Sequence, residues 1–324
     1  MKKSLLLLLS LLLNFGVWSQ SRNHYLAAGL QIGSIHYFGD LNPVAHWGST
    51  NLSLSQPSLS LQLTAKFHPH FKARFGLMMG RLEGNDALSA SPQDPSGIYR
   101  YARNLHFRND LLEASLVGIY DFAQNRGRFY KRPFFTPYIF GGLALLHHNP
   151  KARVPDSYLG PEASAGTWVA LQPLRTEGQG LPGQAAPYKR WQPVVPLGFG
   201  FRFKAADRID IALEVGLRLT FTDYLDDVGG LYPNLAELNG DLARMMSDPS
   251  ALPARENSVR DVAALEAAFG PAQPNPAAPS LQHYPGFGTK GEIRGGGAMD
   301  TYAVMGIQVQ YVINTNRYRP YRRK

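Results

Sequence analysis

From Ser58 to Phe67 the chain reads Ser-Leu-Ser-Leu-Gln-Leu-Thr-Ala-Lys-Phe, ten residues in which polar and apolar side chains alternate without an error. A period of two belongs to an extended strand, whose successive side chains point to opposite sides, so this segment has one greasy face and one wet face. After His68-Pro69-His70 the pattern resumes, with Phe71, Ala73, Phe75, Leu77 and Met79 on one side and Lys72, Arg74 and Gly76 on the other. The two segments predict a hairpin with a very short turn. In a third segment Ile209, Ile211, Leu213, Val215, Leu217, Leu219 and Phe221 oppose Asp210, Ala212, Glu214, Gly216, Arg218 and Thr220. That strand is about twice the usual ~5–6 residues of soluble sheets.

Weaker copies bring the number of predicted strands to eight. Leu26, Ala28, Leu30 and Ile32 mark the first; Leu112, Ala114, Leu116, Tyr120 and Phe122, opposed by Glu113 and Ser115, mark the fourth. Phe134 to Leu146 is apolar on both faces, which leaves its orientation open. Val195, Leu197, Phe199, Phe201 and Phe203 alternate with Gly198, Gly200, Arg202 and Lys204, and Ala303, Met305, Ile307, Val309 and Tyr311 form the last apolar face. Strands two and three, four and five, and six and seven are joined by short links; the other four links are long. Short turns at one end and long loops at the other predict an eight-stranded antiparallel up-and-down transmembrane β-barrel, with its apolar face toward outer-membrane lipid and its polar face inward. Phe67, Phe71, Phe122, Phe134, Phe203 and Tyr311 fall near the short-turn ends, as an interfacial aromatic girdle requires. A soluble sandwich would show the same alternation, but neither the girdle nor the asymmetry of loop length.

The N-terminus agrees with export. Lys2 and Lys3 precede an apolar run from Leu5 to Leu13, and Val17-Trp18-Ser19 ends in a small residue, the pattern of a signal peptide cleaved near Ser19. Such a run is too short to span a bilayer as a helix. The predicted organisation is a signal peptide at 1–19, a barrel at 20–315 that includes a long loop at 223–298, and a basic periplasmic tail at 316–324. There is no Cys in the chain, which excludes a disulfide scaffold, a thiolate metal site, a cysteine nucleophile and a lipidated N-terminal cysteine. The formal charge of +9 falls to +7 without Lys2 and Lys3. No helix gathers that charge, so a nucleic-acid partner is not expected.

Eight strands enclose a lumen that side chains nearly fill. Arg74, Arg202 and Arg218 on the inner faces are expected to pair with Glu113 and Glu214 in a structural charge network that holds the barrel shut. The long last loop, with helical segments predicted at Pro233 to Met246 and Val259 to Phe269 and a proline-rich run around Pro271, Pro274, Pro276 and Pro279, has the composition of a mobile segment. Gly286-Phe-Gly-Thr-Lys-Gly291 matches a dinucleotide fingerprint by letters, but without a strand before it or a helix after it the stretch reads as loop glycine. Asp223, Asp226 and Asp227 have the residue type for calcium, and equally for capping turns or accepting backbone hydrogen bonds. His68 and His70, and His147 and His148, read as interface residues rather than ligands. No arrangement of nucleophile, base and acid commits the chain to catalysis, and neither a cofactor nor a small-molecule substrate is expected.

Four blocks together resemble a known family. Gly33-Ser-Ile-His-Tyr-Phe-Gly-Asp-Leu-Asn-Pro43, Thr136-Pro-Tyr-Ile-Phe-Gly-Gly142 running on to His148-Asn-Pro-Lys151, Leu171-Gln-Pro-Leu-Arg-Thr-Glu-Gly-Gln-Gly-Leu181, and Thr220-Phe-Thr-Asp-Tyr-Leu-Asp-Asp-Val-Gly229 resemble, in order and wording, the PorG-type outer-membrane barrels of the type IX secretion system. Within these blocks Gly39, Asp40, Asp223, Tyr224, Asp226 and Asp227 are the motif positions. The sequence departs from the pattern in an insertion from about Leu235 to Gly297. The resemblance implies an integral barrel that associates with a periplasmic ring, made of a lipoprotein and its ring-forming partner, in machinery for protein export and gliding; it implies no catalytic residue. Arg317, Arg319, Arg322, Arg323 and Lys324 would then face that ring, either docking on an acidic groove or keeping the terminus solvated. Two other readings stay open: a stand-alone surface barrel whose loops bind or adhere, and a barrel-borne hydrolase using Asp223, Asp226 or Asp227 with a loop histidine.

Overall fold

The computed structural model describes residues 24–41, 51–253, 260–296 and 298–313. The predicted signal peptide, and with it the cleavage point, lies outside the described residues, as do Arg317, Arg319, Arg322, Arg323 and Lys324. Twelve strands are present among the described residues, and eight of them form the barrel: β1 (Tyr25–Phe38), β2 (Gln56–Lys66), β3 (Phe71–Asn85), β4 (His106–Asp121), β5 (Phe135–His147), β8 (Trp191–Lys204), β9 (Ile209–Thr220) and β12 (Thr301–Ile313). Each pairs antiparallel with its neighbours in the order β3-β2-β1-β12-β9-β8-β5-β4, and β4 pairs back onto β3, so the sheet closes. Closure leaves no barrel edge with unpaired backbone groups. No helix among the described residues is long and apolar enough to cross a membrane; the crossing is made by strands.

The period-two pattern sorts the two faces as expected. Ile32, Leu61, Leu77, Leu116, Leu213 and Ile307 are exposed on the outside, while Gln31, Gln62, Arg74, Glu113, Glu214 and Gln308 are buried within. An outer belt of exposed leucine, isoleucine and phenylalanine is costly in water and favourable in hydrocarbon, which makes it the lipid-facing surface of a transmembrane barrel. Phe67, Phe71, Phe122, Phe134 and Tyr311 are exposed at the short-turn end. Phe71 packs on Tyr120 and Tyr120 on Phe122, each with centroids 5.3 Å apart, and Phe203 sits against Phe134 at 6.3 Å. This is the girdle that the sequence placed there.

The ambiguous strand is resolved by its surroundings. In β5, Phe135, Ile139, Leu143 and Leu145 face out, whereas Tyr138, Phe140, Ala144 and Leu146 are buried inside. Both faces are apolar because the lumen has apolar layers of its own. Val117, Ile119, Tyr138, Phe140 and Ala212 form one cluster. Nearer the long loops, Ile35, Tyr37, Phe107, Leu146 and Val304 form another, which Leu225 and Val228 enter from the last loop as a stopper.

The long loops fold onto this stopper. The short strands β6 (Pro150–Arg153) and β7 (Trp168–Ala170) extend the sheet beside β4, and β10 (Gln273–Asn275) and β11 (Ala278–His283) form a separate hairpin in the proline-rich run. Helical segments occur at Leu235–Glu237, Asp241–Ser247 and Val262–Phe269. The first predicted helix is split because Gly240, at φ +94°, lies in a conformation that helices do not contain. The mobility expected of the last loop is not what the structure has. Ala102, Tyr232, Leu265 and Phe287 form one small core across two loops; Ala152, Val154, Leu171, Leu242 and Met246 form a second. These contacts between loops distant in sequence offset the entropy that proline- and glycine-rich composition would otherwise leave in the chain.

Candidate functional site

Two polar constellations are built on this frame, one inside the barrel and one at its long-loop mouth. Inside, Arg74 donates from Nη1 and Nη2 to the two oxygens of Glu214 at 2.6 and 3.1 Å, and the Tyr138 hydroxyl donates to the same carboxylate at 2.9 Å. Arg218 Nε lies 3.3 Å from Glu113 Oε2, which also accepts from the Tyr302 hydroxyl at 2.7 Å. The expected network therefore exists, with one correction: Arg202 pairs with neither glutamate. Its Nη1 meets Asp121 Oδ1 at 2.8 Å, and Lys72 takes the other oxygen of that aspartate at 2.8 Å. Alternation does point to Asp121, since Tyr120 and Phe122 face lipid and the residue between them must face in, yet it is absent from the expected network. Arg132, which closes over Asp210 at 2.7 Å, was also missed; it comes from the β4–β5 link, where no periodicity points to it.

At the other end the motif residues meet. The Tyr37 hydroxyl lies 2.6 Å from Asp226 Oδ2 and 3.0 Å from Asp300 Oδ1. One hydroxyl supplies one proton, so both contacts are hydrogen bonds only when a carboxyl carries a second. Burial pushes Asp226 and Asp300 well above the usual carboxylate range, and each is raised further by a neighbouring aspartate, Asp300 acting on Asp226 and Asp223 on Asp300. Asp223 is pushed up to about 8, first by burial and then by Asp40 and Glu177. Gly39 is needed because a Cβ there would collide with the Asp300 carboxyl and the Tyr37 ring. Asp40 accepts from the Gly296 amide at 2.7 Å. A Cβ on Gly296 would crowd that same carboxylate at 2.7 Å.

Asp227 points elsewhere. Its carboxylate accepts from Thr176 at 2.5 Å and Tyr188 at 2.6 Å, in a residue whose φ of +69° is uncommon outside glycine, asparagine and aspartate. Burial raises it to about 6 against the opposing pull of Arg294. Tyr224 stacks on Tyr188 with centroids 4.9 Å apart, and Tyr188 stacks in turn on the buried His148 at 5.8 Å. His148 is thus an interior residue and not the interface residue expected; His147 does sit at the surface rim, beside Trp191 at 4.9 Å.

Two arginines without any sequence signal tie the loops together. Arg294 Nη1 reaches Glu177 at 3.0 Å and the Asp227 carbonyl at 2.7 Å, and its Nε reaches the Ser247 carbonyl at 3.1 Å. Arg103 grips Asp86 side-on at 2.8 and 2.9 Å, and also the carbonyls of Asp40 and Arg294 at 2.9 and 2.7 Å. Charge-assisted bonds of this kind are the stronger class, and here they cross four separate loops. Chemically the arrangement is a lock. Asp226 and Asp227 are committed to hydroxyls and backbone amides and aim in different directions. Among the described residues no group of three or more acidic or histidine side chains is arranged to hold a metal ion.

Neither a family model nor a curated protein matches this sequence. Solved structures similar to it include Ail, the attachment invasion locus protein of Yersinia pestis, at 6% identity over 90% of this chain and 99% of that one, TM-score 0.37. Neisserial surface protein A is similar at 8% identity over 88% and 96%, TM-score 0.37. The outer membrane protein OprG from Pseudomonas aeruginosa is similar at 10% identity over 91% and 99%, TM-score 0.33.

Proposed function

We propose that this chain is a structural outer-membrane barrel of a type IX protein secretion and gliding machine, held to a periplasmic ring of a lipoprotein and its ring-forming partner, with no catalytic role. One observation carries the reading. Residues of three of the four resembling blocks, far apart in sequence, come together in a single lock above a filled lumen: the motif positions Gly39 and Asp40 from the first and Asp223 to Asp227 from the fourth, with Thr176 and Glu177 from the third, and His148 of the second stacked behind them. Residues that build a rigid plugged body suit an anchor better than a transporter or an enzyme, because most of their polar groups are spent on one another, Asp223 Oδ1 and His148 Nδ1 excepted.

The ends of β1 and β12 lie at the short-turn end, beside the turn at 67–70 and the link at 205–208; on this reading that end faces the periplasm and the ring. Purification in mild detergent followed by mass spectrometry tests it. The reading expects stoichiometric periplasmic partners. A stand-alone adhesion barrel would bring down none, and would bind only ligands presented to its long loops.

A further inference from the structure

The short-turn mouth of the lumen holds more buried positive charge than its carboxylates neutralise. Lys66, Lys72, Arg132 and Arg202 are all at most 7% exposed, and the buried carboxylates among them are Asp121 and Asp210. Lys72 and Arg202 share Asp121, Arg132 takes Asp210, and among the described residues Lys66 donates to the Asn125 carbonyl at 2.6 Å. Among the described residues four buried cations thus meet two buried anions. The nearby Lys204 is balanced by Asp207 at 3.1 Å and does not alter the difference.

The second observation is the guanidinium of Arg202. Nη1 is used on Asp121 and the plane lies over the Tyr138 ring at 4.3 Å, but Nε and Nη2 are buried with no hydrogen-bond partner among the described residues. Those two nitrogens form the side-on edge of the guanidinium, whose parallel N–H bonds match the two oxygens of one carboxylate. The same edge of Arg103 grips Asp86 in this way elsewhere in the molecule. Arg202 and Lys72 line a small recess at this end, with free room for about one water-sized group. Buried charge without a counter-charge is costly in a low-dielectric interior, and an entering anion removes that cost.

We propose that this mouth is a carboxylate site for an acidic peptide segment, with Arg202 supplying the fork and Lys72 the neighbouring ammonium. Lys66, Lys72 and Arg202 lie on the buried inner faces of their strands, away from the exposed apolar belt, so a carboxylate reaches them from the aqueous end of the barrel and not from the surrounding bilayer. The inference stands apart from the secretion reading, because the charge at the mouth is the same whatever assembly the barrel serves.

The test is fluorescence anisotropy of fluorescein-labelled tetraglutamate with the full-length barrel in a neutral detergent at fixed ionic strength, with labelled tetralysine as control. The expected result is saturable binding of tetraglutamate alone. Arg202→Lys, which keeps the charge but removes the fork, should weaken it by about tenfold. Asp121→Asn, which removes the internal competitor, should tighten it. Lys72→Gln replaces Arg202→Lys if that variant fails the heat-modifiable gel shift of a folded barrel, and should weaken binding similarly. Absence of saturable binding to the wild-type barrel overturns the proposal. So does equal affinity across the variants, which is what attachment to the basic segment at 316–324 would give.

Discussion

Replacing Glu214 with glutamine tests whether the barrel interior is a dry, filled core. The substitution keeps side-chain size, so it opens no cavity, and it leaves an amide oxygen for the Tyr138 hydroxyl. What it removes is the negative charge beneath Arg74. Both partners are buried, at 5% and 3% exposure, and meet through two bonds at 2.6 and 3.1 Å. Breaking a buried pair leaves an uncompensated charge and costs about 3–5 kcal/mol, whereas the same pair in contact with water is worth about 0–1 kcal/mol. The two cases differ by about 2–5 kcal/mol, roughly thirtyfold or more in the folding equilibrium. Urea unfolding in lipid vesicles, followed by tryptophan fluorescence, reads the difference. We expect Glu214→Gln to lose about 3–5 kcal/mol and the double variant Arg74→Met/Glu214→Met to recover most of it, since an apolar pair of similar volume needs no counter-charge. A loss below about 1 kcal/mol for Glu214→Gln would mean that water fills the lumen, and the reasoning fails.

Leu213→Arg, on the lipid face next to Glu214, should cost roughly 2–4 kcal/mol near mid-membrane, while a polar residue as small as Ser at the buried inner Ala212 should cost less; a lipid-phase photolabel should mark position 213 and spare 212. Gly39→Ala should release the loop lock at a cost of about 1–3 kcal/mol without unfolding the barrel, seen as faster loop proteolysis with an unchanged heat-modifiable gel shift. The lock should also loosen as pH rises. Asp226, Asp300 and Asp223, whose folded-state values lie above those of the unfolded chain, bind protons more tightly when folded, so their stabilisation is full at low pH and declines as pH climbs through the folded values, Asp223 near 8. His148, held down to about 4 by burial, acts in the opposite sense, but only between about 4 and the unfolded value near 6.5. The protection of the Val228 and Gly229 amides, after allowance for the base-catalysed rise of intrinsic exchange, should therefore fall as pH rises from about 5 to about 8, and fall less in Asp223→Asn.

Much of the barrel was legible because a strand with lipid on one side and a charged lumen on the other cannot avoid a period of two. The rule blurred where the lumen itself turns apolar. Tyr138, Phe140, Ala144 and Leu146 fill it in β5, and no alternation survives there. Asp40, Asp223, Tyr224, Asp226 and Asp227 were visible as motif positions, but their joint role was not, since the partners that define it are Tyr37, Glu177, Tyr188, Arg294 and Asp300, spread over more than two hundred residues. The order of the last loop was hidden for the same reason: Leu265 and Phe287 pack against Tyr101 and Ala102 of another loop. Composition reports how a segment behaves alone, and this one is never alone.

The central claim is that eight strands, an inner charge network and a locked set of loops make one plugged body. Single-channel recording of the purified protein in planar bilayers at neutral pH addresses it directly. The filled lumen, stoppered by Leu225 and Val228 above the Arg218–Glu113 and Arg74–Glu214 pairs, predicts a baseline without stable porin-like steps. A large and steady open state would contradict it.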